Sequence, residues 1–233
     1  MSNDDDNVKA EIKKLVNMQL AKIFQNYAKA RTAYQNPYGL PELDPLRHEI
    51  AICIAFGLNQ AAITPTNHFL ESLLKYALIY QHTLKQDTEK HQVRGRAVKA
   101  VAEFCADGKK LFGNKNLNET IDYACRNGLI TKDEKKMLHK YREIFRNAYG
   151  HADKEKTFGD AQTSAFALRV EGNAIVNDSA GDIRLADFLP AQGLFQVALA
   201  EEHAAPYYLS IDKLARGIKH KLFPEADQPG KTD

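Results

Sequence analysis

The sequence has few of the residues that define several classes of protein. Three cysteines, Cys53, Cys105 and Cys125, are an odd number, lie far apart and include no CxxC pair. They disfavour a disulfide scaffold or a zinc site and predict buried thiols in a reducing compartment. The longest nearly unbroken apolar run, 50–58, has about half the length that a membrane-spanning helix needs. The acidic start, 1–6, is not typical of a signal peptide. We expect a cytoplasmic protein with no membrane contact.

Neither positive nor negative charge predominates in the sequence. Lys and Arg number 32, Asp and Glu number 30, and the net charge is +2. No global basic field therefore indicates a nucleic-acid partner. Hydrophobic residues make up 44% of the chain and charged residues 27%, which is ordinary for a globular domain with a real core.

The common catalytic signatures are absent from the sequence. It contains no Walker A loop, no GxGxxG, no GxSxG and no HExxH, which disfavours the nucleotide-binding, hydrolase and zinc-protease classes that these patterns mark. The eight histidines show no ligand spacing. We therefore expect neither a bound metal nor a cofactor.

Apolar residues at spacings of three and four predict a mainly α-helical chain. The predicted helices cover 8–34, 45–56, 68–80, 93–112, 117–127 and 132–148. Asp44 before Pro45 and Thr64 before Pro65 are typical helix starts, and Thr131 to Glu134 forms a capping box. In the third helix, Phe69, Leu73, Leu74, Ala77 and Leu78 form the predicted buried stripe.

The pattern changes after residue 153. Residues 166–176 predict a small β-hairpin, and 182–223 predict extra C-terminal helices with breaks at Pro190 and Pro206. We expect one domain, an antiparallel helical bundle, divided into an N-terminal helix and linker (1–45), a helical core (46–155), the hairpin and C-terminal helices (156–223) and a frayed tail (224–233).

One segment combines side chains suited to catalysis. It is Arg146-Asn147-Ala148-Tyr149-Gly150-His151, at the end of a predicted helix. At about 100° per residue, Arg146, Asn147 and His151 lie opposite the core side marked by Phe145, spread over roughly 140°. Arg146 supplies a permanent cation that fits phosphate oxygens, and His151 can take or give a proton near neutral pH. Asn147 can orient the imidazole or hold a phosphate. These groups are the ingredients for cleaving RNA without a metal.

The segment Arg146-Asn147-x3-His151 resembles the motif of the HEPN superfamily (higher eukaryotes and prokaryotes nucleotide-binding domains). The residues around Asn67 to Lys75 also resemble that family's first conserved helix, and the resemblance covers roughly 60–155. It implies a HEPN-like all-α bundle whose homodimer is a metal-independent endoribonuclease. His151 would be the acid and base, Arg146 would stabilise the phosphorane, and Asn147 would assist. The products would be a 2′,3′-cyclic phosphate and a 5′-hydroxyl.

Family members are commonly toxins or antiviral effectors that cut tRNA or mRNA, so the resemblance also implies an RNA substrate and an antitoxin or larger defence complex as partner. Around the motif we expect Tyr149, Glu143 and Arg142 to contact substrate. Glu143 is further predicted to pair with Arg146 or Asn147 within the helix, and Glu71 to be a solvated or ion-paired helix position.

Two alternatives remain open at this stage. The first is a non-catalytic HEPN module for dimerisation, nucleotide binding or docking in a defence complex. The second is a plain helical interaction domain in which Arg146 is a surface ion-pair residue and His151 a helix-terminal histidine stabilised by the helix dipole.

Overall fold

Helices make up most of the chain, as the sequence predicts. A computed structural model describes residues 2–35, 38, 40, 42–90, 105–147, 160, 162–171, 174–184, 187 and 189–224. Within these ranges the elements are α1 (Ser2–Gln35), α2 (Asp44–Ala55), α3 (Asn59–Lys90), α4 (Ala106–Phe112), α5 (Leu117–Arg126), α6 (Lys132–Tyr141), a π-helix (Arg142–Asn147), β1 (Gln162–Glu171), β2 (Ala174–Arg184) and α7 (Leu189–Leu222).

The core is built around α3, which packs against α2, α4, α5, the π-helix and α7. Its stripe at three- and four-residue spacing is buried as predicted (Phe69, Leu73, Leu74, Ala77 and Leu78). Burying a side chain of this kind contributes about 1.5–3 kcal/mol. The helix is therefore the element on which the others are positioned.

Two predictions made from prolines are wrong. Pro65, predicted at a helix start, lies inside α3, and Pro206, predicted as a break, lies inside α7. Pro190 is the second residue of α7, so the break predicted there coincides with the start of that helix. A proline inside a helix costs about 3 kcal/mol because it lacks an N–H and crowds the preceding turn. In α7 the residues on both sides of Pro206, including Ala204 and Tyr207, are buried. Their burial offsets that cost, so the chain forms one long C-terminal helix instead of several.

Helix α2 begins differently from the prediction. Leu43 is the N-cap and makes no side-chain cap. The Asp44 carboxylate instead accepts hydrogen bonds from the backbone N–H groups of Tyr38 and Leu40, at 2.8 and 3.0 Å. It therefore stabilises the turn before the helix. The capping box of Thr131 with Glu134 is confirmed.

A buried polar network joins α2 to α7. Arg47 Nε donates to Asp212 Oδ1 at 2.9 Å, and Arg216 Nε donates to Asp212 Oδ2 at 3.0 Å. The Tyr38 hydroxyl donates to the same carboxylate. Both charges of the Arg47–Asp212 pair are almost completely buried, so neither is stable there without the other.

Along the chain, the two β-strands follow the motif region and precede α7. β1 and β2 pair antiparallel, with Arg169 opposite Val176 and Val170 opposite Ile175, and the register shifts between Ala167 and Leu168. The paired segment is longer than the predicted 166–176. Residues 93–104 of the predicted fourth helix and residues 225–233 of the tail lie outside the described residues.

Candidate functional site

The motif begins on a π-helix. Thr131 caps α6, which ends at Tyr141, and residues Arg142–Asn147 continue it as a π-helix. The α-helical prediction for this segment is therefore wrong, because the hydrogen bonds of a π-helix span five residues and widen the turn. For Arg146 the expected separation of sides is nevertheless observed, since Phe145 is 3% exposed whereas the Arg146 side chain is 39% exposed.

Arg146 is held in place from α3. Its Nη2 lies 3.2 Å from Glu71 Oε2, and Glu71 Oε1 lies 2.9 Å from Lys75 Nζ. The prediction that Glu71 is ion-paired is confirmed. One carboxylate thus faces two cations, so this triad keeps a net charge of +1. A half-exposed guanidinium in a net positive cluster is suited to bind a phosphate.

A second contact from α3 fixes the π-helix backbone. Asn67 Nδ2 donates to the Phe145 carbonyl at 3.3 Å, and the Tyr207 hydroxyl donates to Asn67 Oδ1 at 2.9 Å. Asn67 is thus oriented by α7 and in turn holds the residue directly before Arg146. Burial raises the pKa of Tyr207, with the nearby Tyr141 adding to the effect. The hydroxyl therefore stays protonated and remains a donor.

Aromatic packing supports the same segment. The rings of Phe145 and Tyr207 are stacked with centroids 4.4 Å apart, and Tyr141 meets Tyr207 edge-on at 4.9 Å. The His203 ring lies 6.1 Å from that of Phe145. The motif backbone is therefore held on its buried side by α7 and on its polar side by α3.

Sequence reasoning missed Tyr207 as part of this site. It lies 140 positions from Asn67 within an apolar helical pattern, and no local signal marks it. In the sequence, only the family resemblance marks Asn67, and its contact with Phe145 joins residues 78 positions apart.

Of the predicted substrate-contacting residues, Glu143 and Arg142 lie beside each other. Arg146 pairs with Glu71 and not with Glu143. The Oε1 atom of Glu143 lies instead 3.6 Å from Arg142 Nη2. Arg142 is half-buried, and its Nε has no hydrogen-bond partner among the described residues. The side chain of Asn147 and the whole of Tyr149 and His151 lie outside the described residues, so the structure does not place them beside Arg146.

Other kinds of site are not found in the part of the chain that the structure describes. No group of three or more His, Cys, Asp or Glu residues there is arranged to hold a metal ion. Among the same residues, no helix combines the length and the apolar character that crossing a bilayer requires. The three cysteines are free thiols; Cys105 is buried as predicted, whereas Cys53 and Cys125 are half-buried.

Comparisons with known proteins found no match: no protein-family model, no curated protein and no solved structure is similar to this chain.

Proposed function

We propose that this protein is a metal-independent endoribonuclease of HEPN type that acts as a homodimer on tRNA or mRNA, as a toxin or an antiviral defence effector in the cytoplasm. One observation carries the proposal. The guanidinium of Arg146 is half-exposed and held 3.2 Å from Glu71, directly before Asn147 and five positions before His151. A positioned, half-exposed cation at the start of the motif supports a phosphate-binding role for Arg146.

The reaction assigns one task to each motif residue. The 2′-hydroxyl of the RNA attacks the adjacent phosphorus as its proton passes to a His151 imidazole. The bond from phosphorus to the 5′-oxygen breaks, and that oxygen receives a proton. Arg146 balances the charge that develops on the phosphorane oxygens. The atoms balance as one 2′,3′-cyclic phosphate and one 5′-hydroxyl end.

Pairing of two chains suits this chemistry because one motif offers one histidine, whereas the step needs a base and an acid. A twofold axis between two motifs supplies a second Arg146 and a second His151. An antitoxin or a larger defence complex is the proposed protein partner.

Cleavage of mixed RNA in excess EDTA tests the proposal. The substrate is total tRNA with an unstructured transcript, and wild type is compared with Arg146→Ala and His151→Ala. His220 is exposed and precedes Lys221, whose Nζ lies near the carbonyl of Gly128, two positions after Arg126. His220 and Arg126 both lie far along their helices from the motif contacts, so His220→Ala and Arg126→Ala serve as matched controls. We expect cleavage by wild type and both controls and its loss in both motif variants. Equal cleavage by His151→Ala would contradict the proposal.

One observation favours a second candidate function, a non-catalytic module for dimerisation, nucleotide binding or docking in a defence complex. Glu71 already pairs with Arg146, which is also what a purely structural arginine would do. For this candidate, no RNA is cut by wild type, and Arg146→Ala changes binding of a nucleotide or a protein partner instead.

A further inference from the structure

Two helices that lie far apart in the sequence run side by side next to the motif. At one end, the Tyr141 hydroxyl of α6 donates to the Ser210 hydroxyl oxygen of α7 at 3.2 Å. At the other end, Lys221 Nζ of α7 donates at 2.8 Å to the carbonyl of Leu129, which lies just before the start of α6. Lower numbers of one helix thus meet higher numbers of the other, so α6 and this part of α7 are antiparallel.

Exposed lysines follow both helices of this pair. Those of α6 recur every four residues, about one turn and about 6 Å along the helix axis. Those of α7 flank its two contacts with α6, because one lies three positions after Ser210 and the other is Lys221 itself. We call these five exposed side chains the basic face: Lys132, Lys136, Lys140, Lys213 and Lys221.

Acidic residues near the basic face are few. α6 contains Asp133 and Glu134, and the Glu134 carboxylate is used in the capping box. Between residues 207 and 222 of α7, the only acid is Asp212, which is buried and bound to two arginines. With four lysines, α6 has a net charge of +2, and 207–222 have +3, whereas the whole chain has +2. The rest of the chain is therefore net negative, and the positive charge is concentrated on this pair of helices.

The basic face lacks the apolar side chains that a membrane or a protein partner would use. Within 132–141 and 207–222, all of which the structure describes, no large hydrophobic side chain is exposed. A helix that binds a membrane surface buries an apolar side, and protein interfaces gain most of their affinity from a few desolvated anchors, often aromatic. Affinity for a phosphate backbone instead comes largely from Lys and Arg. The basic face therefore fits the backbone of a nucleic acid.

The basic face lies beside the motif and does not include it. Lys140 is six positions before Arg146, whose guanidinium is held on the α3 side by Glu71. We propose that the basic face binds the phosphate backbone of RNA next to the motif and holds the substrate by charge, without reading its sequence. The choice of RNA rests on the proposed ribonuclease function, whereas the charge of the face is independent of it.

Salt-dependent binding of an RNA that cannot be cut tests the proposal. The probe is a fluorescein-labelled hairpin of 2′-O-methyl RNA, in which the methylated 2′-oxygen cannot attack the phosphorus. Fluorescence anisotropy measures its affinity for the full chain. Wild type is compared with Lys136→Ala/Lys140→Ala and with Lys13→Ala/Lys14→Ala. The second pair is exposed on α1 and is the matched control, because it removes the same charge elsewhere.

The expected result is a change in salt dependence. Each phosphate contact with a duplex adds about 0.9 to the steepness of log affinity against log salt. Between about 50 and 200 mM salt, the wild type should therefore lose roughly tenfold more affinity than Lys136→Ala/Lys140→Ala. The control should keep the wild-type slope, and Lys213→Ala should lower it by about one. Alanine favours the helix, so circular dichroism should show every variant folded.

Three results would overturn the proposal: a wild type that leaves the probe unbound, equal slopes for wild type and Lys136→Ala/Lys140→Ala, or an equal loss in both double variants. Binding of poly-glutamate in place of the probe, with the same dependence on Lys136 and Lys140, would also overturn it and would assign the face to an acidic protein.

Failure of this proposal is distinguishable from failure of the ribonuclease proposal. A wild type that binds the probe but cuts no RNA would keep the basic face and remove the chemistry. A wild type that cuts RNA, with the same affinity for the probe in all variants, would do the reverse. If both proposals hold, Lys136→Ala/Lys140→Ala should raise KM for RNA and leave kcat near its wild-type value.

Discussion

Replacing Tyr207 by phenylalanine isolates the contact that holds the motif backbone. The substitution keeps the ring stacked on Phe145 and removes only the hydroxyl, which donates to Asn67 Oδ1 at 2.9 Å. A polar atom that loses its partner costs about 1–3 kcal/mol when fully buried. Asn67 is half-buried, so water partly replaces the lost donor. We expect Tyr207→Phe to lower the free energy of unfolding by about 1 kcal/mol.

The functional consequence is expected to exceed this loss of stability. Once Asn67 is free to turn, its hydrogen bond to the Phe145 carbonyl weakens, and Arg146 follows directly in the chain. If the ribonuclease proposal holds, kcat for RNA cleavage falls by about tenfold, which corresponds to about 1.4 kcal/mol, with a smaller change in KM. Urea unfolding measures the stability, and cleavage in EDTA measures the rate.

Tyr208 provides a matched control. It is fully buried like its neighbour, and its hydroxyl donates to the Arg47 carbonyl at 3.2 Å, away from the motif. Tyr208→Phe should lose similar stability and keep the cleavage rate. Unchanged stability and rate in Tyr207→Phe, or an equal fall in rate in Tyr208→Phe, would refute the reasoning about how the motif is held.

Three further predictions concern the fold. Asp212→Ala leaves two arginines without their carboxylate and should cost about 3–5 kcal/mol in urea unfolding; a loss under about 1 kcal/mol would contradict a buried ion pair. Gly128 has φ +74° with open space around a Cβ, so Gly128→Ala should cost about 1–2 kcal/mol through backbone strain alone. Gly217, inside α7 and also with open space, is its control, and Gly217→Ala should stabilise by about 0.5–1 kcal/mol in the same measurement. The hydrogen bond from Lys135 lowers the pKa of Asp122 below its ordinary 3.8. The stability that ionised Asp122 contributes to the fold is therefore present above about pH 3.8 and is lost as the pH falls through the folded-state pKa of Asp122. Unfolding curves should show Asp122→Asn less stable than wild type by under about 1 kcal/mol at pH 7 and equal to it near pH 2; a difference that persists at low pH would contradict the assignment.

The sequence predicts those parts of the fold that depend on local pattern. The α3 stripe and the Thr131 capping box are both found, because spacing and cap chemistry act within a few residues. Predictions from single prolines fail at Pro65 and Pro206, because tertiary burial outweighs the local cost of a proline in a helix.

The candidate site is predictable only in part for the same reason. The motif marks Arg146 in the sequence. Its exposure is also predictable, because the preceding Phe145 is apolar and marks the core side of the helix. The supports of Arg146 come from distant parts of the chain. Glu71 lies 75 positions from Arg146, and Asn67 is held by Tyr207, which lies 140 positions from Asn67. Contacts between such distant residues form through tertiary packing, which a single sequence does not display.

The chemistry of the cut RNA ends tests the central proposal most directly. Total tRNA is incubated in excess EDTA with wild type or His151→Ala, and the ends of every fragment are assigned by mass spectrometry. We expect 2′,3′-cyclic phosphate and 5′-hydroxyl ends with wild type and intact tRNA with His151→Ala. Fragments with 5′-phosphate and 3′-hydroxyl ends, or the same cyclic ends from His151→Ala, would contradict a metal-independent ribonuclease built on Arg146 and His151.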